Sequence, residues 1–454
     1  MARHRSGFNS PRPAAPPPPA PGLAARVAAA RAIAEALTQG RPLEERLAAD
    51  LSLRGPGADP RDAALARSIA TAALRRLGTI RKALAARLDK GWPRRSGTLE
   101  WTLIAAAAQI LFMDTPDHAA VDLAVTAVRA DPASAPFAAL ANAVLRAIAR
   151  DREMILAASD ALNDDTPPWL AERWRVNYLE PRARSIAGAN RCEPTLDLTV
   201  KTNAAEWAGR LDGLALPTGS VRLLSHKPIV ELEGYAAGEW WVQDAAAALA
   251  ARLLAPRPSM RIVDLCAAPG GKAAQLAAAG ATVTAVDRSA ERLKALAANF
   301  ERLGLHADIV VADALNFEAP PFDAVLLDAP CSATGTIRRH PDVAWTKRPS
   351  DLASLAKLQG QLLDKAASLT KPGGWLVYCA CSLEPEEGEA QIAALMRRNP
   401  DVRHEPIAAD EVGGLVECLN AAGELRTLPC QLWSDDPRRS GLDGFFAARL
   451  IKSA

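Results

Sequence analysis

No stretch of the sequence is apolar enough to cross a bilayer. The most apolar run, Leu103 to Met113, is about 11 residues interrupted by Gln109, against the roughly 20 that a spanning helix needs. No Cys-x-x-Cys occurs, the seven cysteines are odd in number, and nothing resembling a secretory leader precedes them, so free thiols in a reducing, cytoplasmic setting are expected rather than a disulfide framework or a zinc site. The dinucleotide pattern G-x-G-x-x-G and the phosphate-cradling G-x-x-x-x-G-K-[ST] are both missing. No acid precedes Glu35, which superficially suggests a transit peptide, but Pro11, Pro13, Pro16 to Pro19 and Pro21 forbid the amphipathic helix such a peptide needs. Residues 1–22 read as a disordered tail. Repeats of solenoid period are absent.

The chain does have length and a strong apolar fraction. Its 454 residues, 49% hydrophobic and 23% charged, exclude a disordered or collagen-like chain and point to about three domains at roughly 150 residues each. The net charge of +2 hides an asymmetry. Residues 1–150 hold 21 Lys and Arg against 12 Asp and Glu, and the remainder 33 against 40. A polyanion partner for the N-terminal third would explain this.

Between Leu23 and Arg152 apolar residues recur at helical steps, as in Leu65, Ile69, Ala72 and Ala73. Breaks at Arg54-Gly-Pro-Gly, Gly91-Trp-Pro and Asp131-Pro predict five or six helices over 23–152. Residues 153–258 form a connector or small mixed domain, with a helix near Trp169 and Trp174 and extended segments at Leu196 to Val200 and Val221 to Leu224. From 259 to 454 strands alternate with helices. Strands are expected at Arg261 to Cys266, Thr282 to Val286, Asp308 to Val311, Phe322 to Leu327 and Gly374 to Cys379, and helices at about 271–279, 290–303, 351–369 and 386–398. The fold class is thus a multidomain chain, an all-α bundle followed by a Rossmann-like α/β domain with a parallel sheet. The run Gly444 to Ile451 is expected to close the sheet's edge.

The chemistry gathers at the carboxyl ends of these strands. Asp264-Leu-Cys266-Ala267-Ala268-Pro269-Gly270-Gly271-Lys272 runs from a buried strand through a loop of small residues into a helix, which lets the backbone approach a ligand closely. A plain glycine turn would look similar, but Asp287 ends the next strand, where a carboxylate accepts both hydroxyls of a ribose. Asp313 ends the third strand and can accept from an adenine amino group, or merely cap the following helix. An adenosyl ligand without a pyrophosphate fits all three. Asp328-Ala-Pro-Cys331 then delivers an acid and a thiol three residues apart. Amine methylases of this architecture have an aromatic after the proline; a thiol there points to chemistry at carbon. Tyr378-Cys379-Ala-Cys381-Ser-Leu-Glu-Pro-Glu-Glu feeds a second thiol into the same rim. Cys266 and Cys379, inside apolar runs, also read as core packing.

These motifs together resemble the RNA cytosine-C5 methyltransferase family that uses S-adenosylmethionine. Arg61-Asp-Ala-Ala-Leu-Ala-Arg, Asp117-His-Ala-Ala-Val-Asp and Ala141-Asn-Ala-Val-Leu-Arg146 resemble a NusB-like RNA-binding domain, a combination that points to the bacterial members acting on 16S ribosomal RNA. The resemblance implies that Cys266 to Lys272, Asp287, Asp313 and Asp328 hold the cofactor, that Cys381 is the nucleophile and that Cys331 assists product release; on chemical grounds Asp328, if protonated or sharing a proton, can donate to the ring at N3. No metal is implied. Ala380 stands where the family more usually has threonine, and Gly388 where it often has asparagine. Two basic clusters are candidates for RNA phosphate: Arg75, Arg76, Arg81, Lys82, Arg87, Lys90, Arg94 and Arg95 in the helical part, and Arg338, Arg339, His340, Lys347 and Arg348 beside Cys331. Three alternatives stand beside this reading: another RNA such as tRNA as substrate, Cys331 as the nucleophile, or a non-catalytic RNA-binding protein.

Overall fold

The structure is a computed structural model that describes residues 20–50, 53, 59–225 and 227–454. The expected tail therefore lies almost wholly outside the described residues, as does the break at 54–57. Eight helices come first: α1 Leu23–Gln39, α2 Leu43–Ala49, α3 Pro60–Arg75, α4 Leu77–Ala85, α5 Leu99–Phe112, α6 Asp117–Ala130, α7 Ala138–Arg150 and α8 Arg152–Ala157. Among the described residues α1 to α7 fall within 23–152, one or two more than the five or six expected there. The excess arises because Arg76 alone separates α3 from α4, with no Gly or Pro to announce the break, and because α2 has only 7 residues. The apolar run at 103–113 is explained by position: α5 packs on α1, α3, α6 and α7 and buries nearly every side chain, as a helix apolar all round must.

Next, α9 Pro168–Asn190 is broken at Leu179, whose φ is 63°, just ahead of Pro181. Proline lacks an N–H and is tolerated in the first turn of a helix, and here Pro181 sits in the first turn of the half that starts after Leu179. The connector then forms a small antiparallel sheet of order β2-β3-β1-β4, made of β1 Asp197–Val200, β2 Gly213–Ala215, β3 Val221–Leu223 and β4 Trp240–Val242, with α10 Ala204–Arg210 packed against it. After α11 Ala247–Arg252 comes the large sheet: β5 Arg261–Leu265, β6 Thr282–Asp287, β7 Asp308–Val311, β8 Phe322–Asp328, β9 Thr370–Ala380, β10 Val402–His404, β11 Leu425–Thr427 and β12 Phe445–Lys452. Its helices are α12 Gly271–Ala278, α13 Ala290–Leu303, α14 Asp342–Thr346, α15 Pro349–Leu369 and α16 Glu389–Arg398.

The sheet order is β10-β12-β9-β8-β5-β6-β7, with β11 also on β12. Strands β5 to β9 are parallel, and β10 to β12 extend the sheet in antiparallel fashion. The sheet is thus mixed rather than wholly parallel. The terminal strand β12 is not its edge, since β10 pairs on the far side. The helix expected at 386–398 starts at Glu389, after a separate turn at Pro385–Glu387. The chain winds outward from β5 through β6 and β7, then crosses back to β8 and β9. That reversal opens a crevice between the carboxyl ends of β5 and β8, where open α/β sheets bind ligands.

Two features fasten the parts together. Trp345 of α14 packs against the core of the helical bundle and donates from its indole nitrogen to the Leu74 carbonyl at 2.7 Å. Arg75 donates to the Arg338 carbonyl at 2.9 Å, and the Asp342 carboxylate accepts from the Leu43 amide at 3.1 Å. Beneath them Arg222, Arg338 and Arg339 interlock with Asp197, Asp244 and Asp443, including Arg222–Asp197 and Arg338–Asp443 contacts of 2.7 Å. Arg338 and Arg339 were expected to meet RNA phosphate. Their charges are instead spent on these buried carboxylates, an arrangement a run of basic letters does not reveal.

Candidate active site

Each site residue is placed by the end of a strand. Strand β5 stops at Leu265, and Cys266 turns the chain with φ at 64°. Gly270 follows at φ 102°, where a Cβ would stand 2.6 Å from the Leu296 side chain; only glycine allows that positive φ and that approach of α13. Asp287 ends β6 nearly buried. One of its carboxylate oxygens accepts from the Ala268 amide at 3.2 Å and the other from Ser289 at 2.9 Å, so it stitches the small-residue loop to its neighbour. Asp313 accepts from the Leu315 amide at 3.0 Å, capping a short turn while also facing the ligand cavity. The capping reading therefore holds, and the carboxylate lies on the cavity as the other reading requires.

Cys266, Ala268, Asp287, Asp313, Asp328, Cys331 and Cys381 line one cavity of about 260 Å³. Ala267, Pro269, Gly270, Gly271 and Lys272 line a second, of about 520 Å³, on the connector's side, and Asp328 borders both. The loop predicted to hold one ligand therefore divides its residues between two cavities. Lys272 joins them, donating to Asp328 Oδ2 at 2.8 Å. Burial disfavours the Lys272 charge, but Asp328 outweighs it and holds the ammonium firmly protonated. Asp264 is fully buried on the strand below. Desolvation, then the Asp328 charge, raises its carboxyl well above the usual range.

The two thiols meet. Cys331 Sγ and Cys381 Sγ are 3.3 Å apart, one on the loop after β8 and the other just past β9. The neighbouring Cys381 sulfur and then burial push Cys331 well above the ordinary thiol value. Cys379 is buried and donates to Asp328 Oδ1 at 3.5 Å, and burial likewise raises it. Burial and then the nearby carboxylates of Asp328, Asp287 and Asp264 take Cys266 up to about 12. Among the described residues no group of three or more His, Cys, Asp or Glu is arranged to hold a metal.

The run after Cys381 holds further site residues that the letters alone do not single out. Glu384 is buried and pairs with Arg173 of α9, while Tyr178 of the same helix donates to the Leu383 carbonyl. Arg426 donates to the Ser382 carbonyl and is gripped by Glu389. The Cys381 loop is thus held by the connector on one side and β11 on the other.

A doubly wound sheet carrying strand-end acids and a pair of thiols at its switch point defines a Rossmann-like methyltransferase. The family description "16S rRNA methyltransferase RsmB/F" matches residues 251–451, and "NusB family" matches residues 23–150. The ribosomal RNA small subunit methyltransferase B of Xylella fastidiosa is 38% identical over 95% of this chain and 98% of its own length, and that of Salmonella arizonae 35% identical over 94% and 98%. A methyltransferase homolog protein from Pyrococcus horikoshii has a solved structure that covers 64% of this chain and 96% of its own, at 27% identity and TM-score 0.52. The crystal structure of PH0851 shares the fold across 95% of this chain and 99% of its own, at 23% identity and TM-score 0.73. The chain belongs to the ribosomal RNA small subunit methyltransferase B family, and its methyl donor is S-adenosylmethionine. The donor set of the smaller cavity fits that group: small side chains at Cys266 and Ala268, and carboxylates at Asp287 and Asp313 suited to sugar hydroxyls and an exocyclic amine.

Proposed function

We propose that this chain methylates C5 of a cytosine in 16S ribosomal RNA, in the cytoplasm, by way of a transient bond between Cys381 Sγ and ring carbon C6. The observation that supports it is the 3.3 Å pairing of Cys331 with Cys381 on the same cavity as Asp287, Asp313 and Asp328.

C5 of cytosine is too electron-poor to attack an electrophile unaided. Addition of a thiolate at C6 sends the ring electrons toward N3 and leaves C5 as an enamine carbon. Asp328 shares the proton of the Lys272 ammonium, which donates to its Oδ2 at 2.8 Å; as N3 gains electron density the lysine proton moves to the carboxylate and on to N3, leaving a neutral amine at Lys272 that regains its proton from solvent. S-adenosylmethionine, when bound against Asp287 and Asp313, provides an activated methyl group. The C5 proton must then leave so that the C6–S bond breaks and Cys381 is restored. Cys331 stays a thiol at rest, so a water that it positions takes that proton in preference to its own sulfur. The base must leave its stack to reach the rim, which unpaired RNA permits at lower cost than a duplex. Of the basic cluster in the helical part, Lys90, Arg94 and Arg95 are exposed, as are Arg81 and Lys82 beside Glu100 and Asp164, and these remain accessible to phosphate, whereas Arg75, Arg76 and Arg87 turn to structural partners.

Mapping 5-methylcytosine in 16S rRNA from cells with and without the gene tests the reading. Loss of the mark at one cytosine, restored by the wild-type gene, is expected; an unchanged map overturns it.

A further inference from the structure

Glu387 is fully buried, yet among the described residues it has no Lys, Arg or His within ion-pairing distance. A buried acid without a cation is costly unless donors surround it, and apolar residues of similar volume usually serve stability as well. Here four donors from three segments converge on one carboxylate. Oε1 accepts from the Ser332 amide at 2.8 Å and from Gln359 Nε2 of α15 at 3.0 Å. Oε2 accepts from the Ser332 and Ser382 hydroxyls, both at 2.5 Å. Those hydroxyls are themselves 3.2 Å apart. Ser332 directly follows Cys331, and Ser382 directly follows Cys381. The acid's own backbone is anchored too, its carbonyl accepting from the Tyr378 hydroxyl at 2.7 Å.

We infer that Glu387 is a positioning residue whose carboxylate ties the two thiol loops together and so sets the distance between Cys331 and Cys381. It touches neither sulfur; it acts through the two serines. The inference deepens the proposed reaction and rests on that reading for its catalytic meaning, but the geometry it concerns can be measured without RNA or methyl donor.

The test reads thiol proximity directly. Full-length protein is equilibrated in buffers of reduced and oxidised glutathione. Two thiols and one oxidised glutathione give one protein disulfide and two reduced glutathiones, and peptide mapping quantifies the Cys331–Cys381 pair. The wild type should pair readily. Glu387→Ala should lower the pairing equilibrium at least tenfold and kcat by a similar factor, with KM for rRNA changed less than twofold. Glu387→Gln keeps an acceptor for the Ser332 amide and Gln359, and the two hydroxyls can rotate to accept from its amide; it should stay within about threefold of wild type in both measures. Should Glu387→Ala fail to fold, Ser382→Ala removes one tether and should lower pairing at least threefold. A folded Glu387→Ala protein with wild-type pairing overturns the inference, as does a wild type whose thiols do not pair, or a Gln variant as impaired as Ala. If pairing responds as expected but no form of the protein methylates rRNA, the functional reading fails while the positioning role stands.

Discussion

Cys331 and Cys381 occupy equivalent places on two neighbouring loops, but their surroundings give them different parts. The sulfur of Cys381 and burial raise Cys331, so its thiolate form should be scarce at pH 7 and should accumulate only above the ordinary thiol range near pH 8.5. Alkylation of Cys331 by iodoacetamide, followed by peptide mapping, should keep accelerating past pH 9; a plateau below pH 8 would contradict the assignment. At Asp287 two hydrogen bonds preorganise the loop, and the same carboxylate faces the cofactor cavity. Asp287→Ala should weaken S-adenosylmethionine binding at least tenfold by calorimetry, the loss of roughly one charge-assisted hydrogen bond; unchanged affinity would remove the residue from the site. Glycine at position 388 has a visible reason. A Cβ there would sit 2.4 Å from Arg426 Nη2 and about 3 Å from the Phe446 ring. Arg426 cannot swing aside freely, because Glu389 and the Ser382 carbonyl hold it. Ala380 is buried beside Phe446 in the sheet register.

At the scale of elements, legibility followed periodicity. Strands β5, β6, β8 and β9 and helices α12, α13 and α15 are readable because buried parallel strands are short apolar runs and their helices are amphipathic; β7 is readable as the apolar run Ile309 to Val311 although it is an exposed edge strand. The strand-end acids could be placed from that grammar alone. The mixed sheet was harder: β10 and β11 have 3 residues each, too few to show a period, so β12 looked like an edge. The Arg338–Arg339 pair read as a basic patch because its partners, Asp197, Asp244 and Asp443, come from distant segments. Glu387 was quoted inside a motif but carried no sign of burial in one dimension. The link from α14 into the helical bundle was equally invisible. Trp345→Ala should cost up to about 3 kcal/mol and separate the unfolding of the bundle from that of the large sheet in calorimetry; a single unshifted transition would show that the indole does not couple them.

Across the whole molecule, the Arg222, Arg338, Arg339, Asp197, Asp244 and Asp443 network joins the connector sheet, the thiol-bearing segment and the approach to β12. Burial alone would raise Asp244, but the Arg339 and Arg338 charges prevail and hold it well below the usual carboxylate range. A lowered folded-state value stabilises above the unfolded value near pH 4 and is lost as pH falls through the folded one, so this contribution should survive until strongly acidic conditions. Asp244→Ala leaves three buried guanidinium groups to share the carboxylates of Asp197 and Asp443 and should destabilise by about 3 kcal/mol in urea unfolding; a loss under 1 kcal/mol would show the network to be incidental. The same network orients the segment between Cys331 and the helical bundle, so the helical and methyltransferase parts share one seam.

The transient sulfur–carbon bond is tested most directly by incubating each thiol variant with 16S rRNA and S-adenosylmethionine and resolving the products on denaturing gels. Cys331→Ala should accumulate RNA covalently attached to protein, since methylated base can no longer be released efficiently, and Cys381→Ala should form none. Adduct from the Cys381 variant, with none from the Cys331 variant, would transfer the nucleophile to Cys331 and contradict the account.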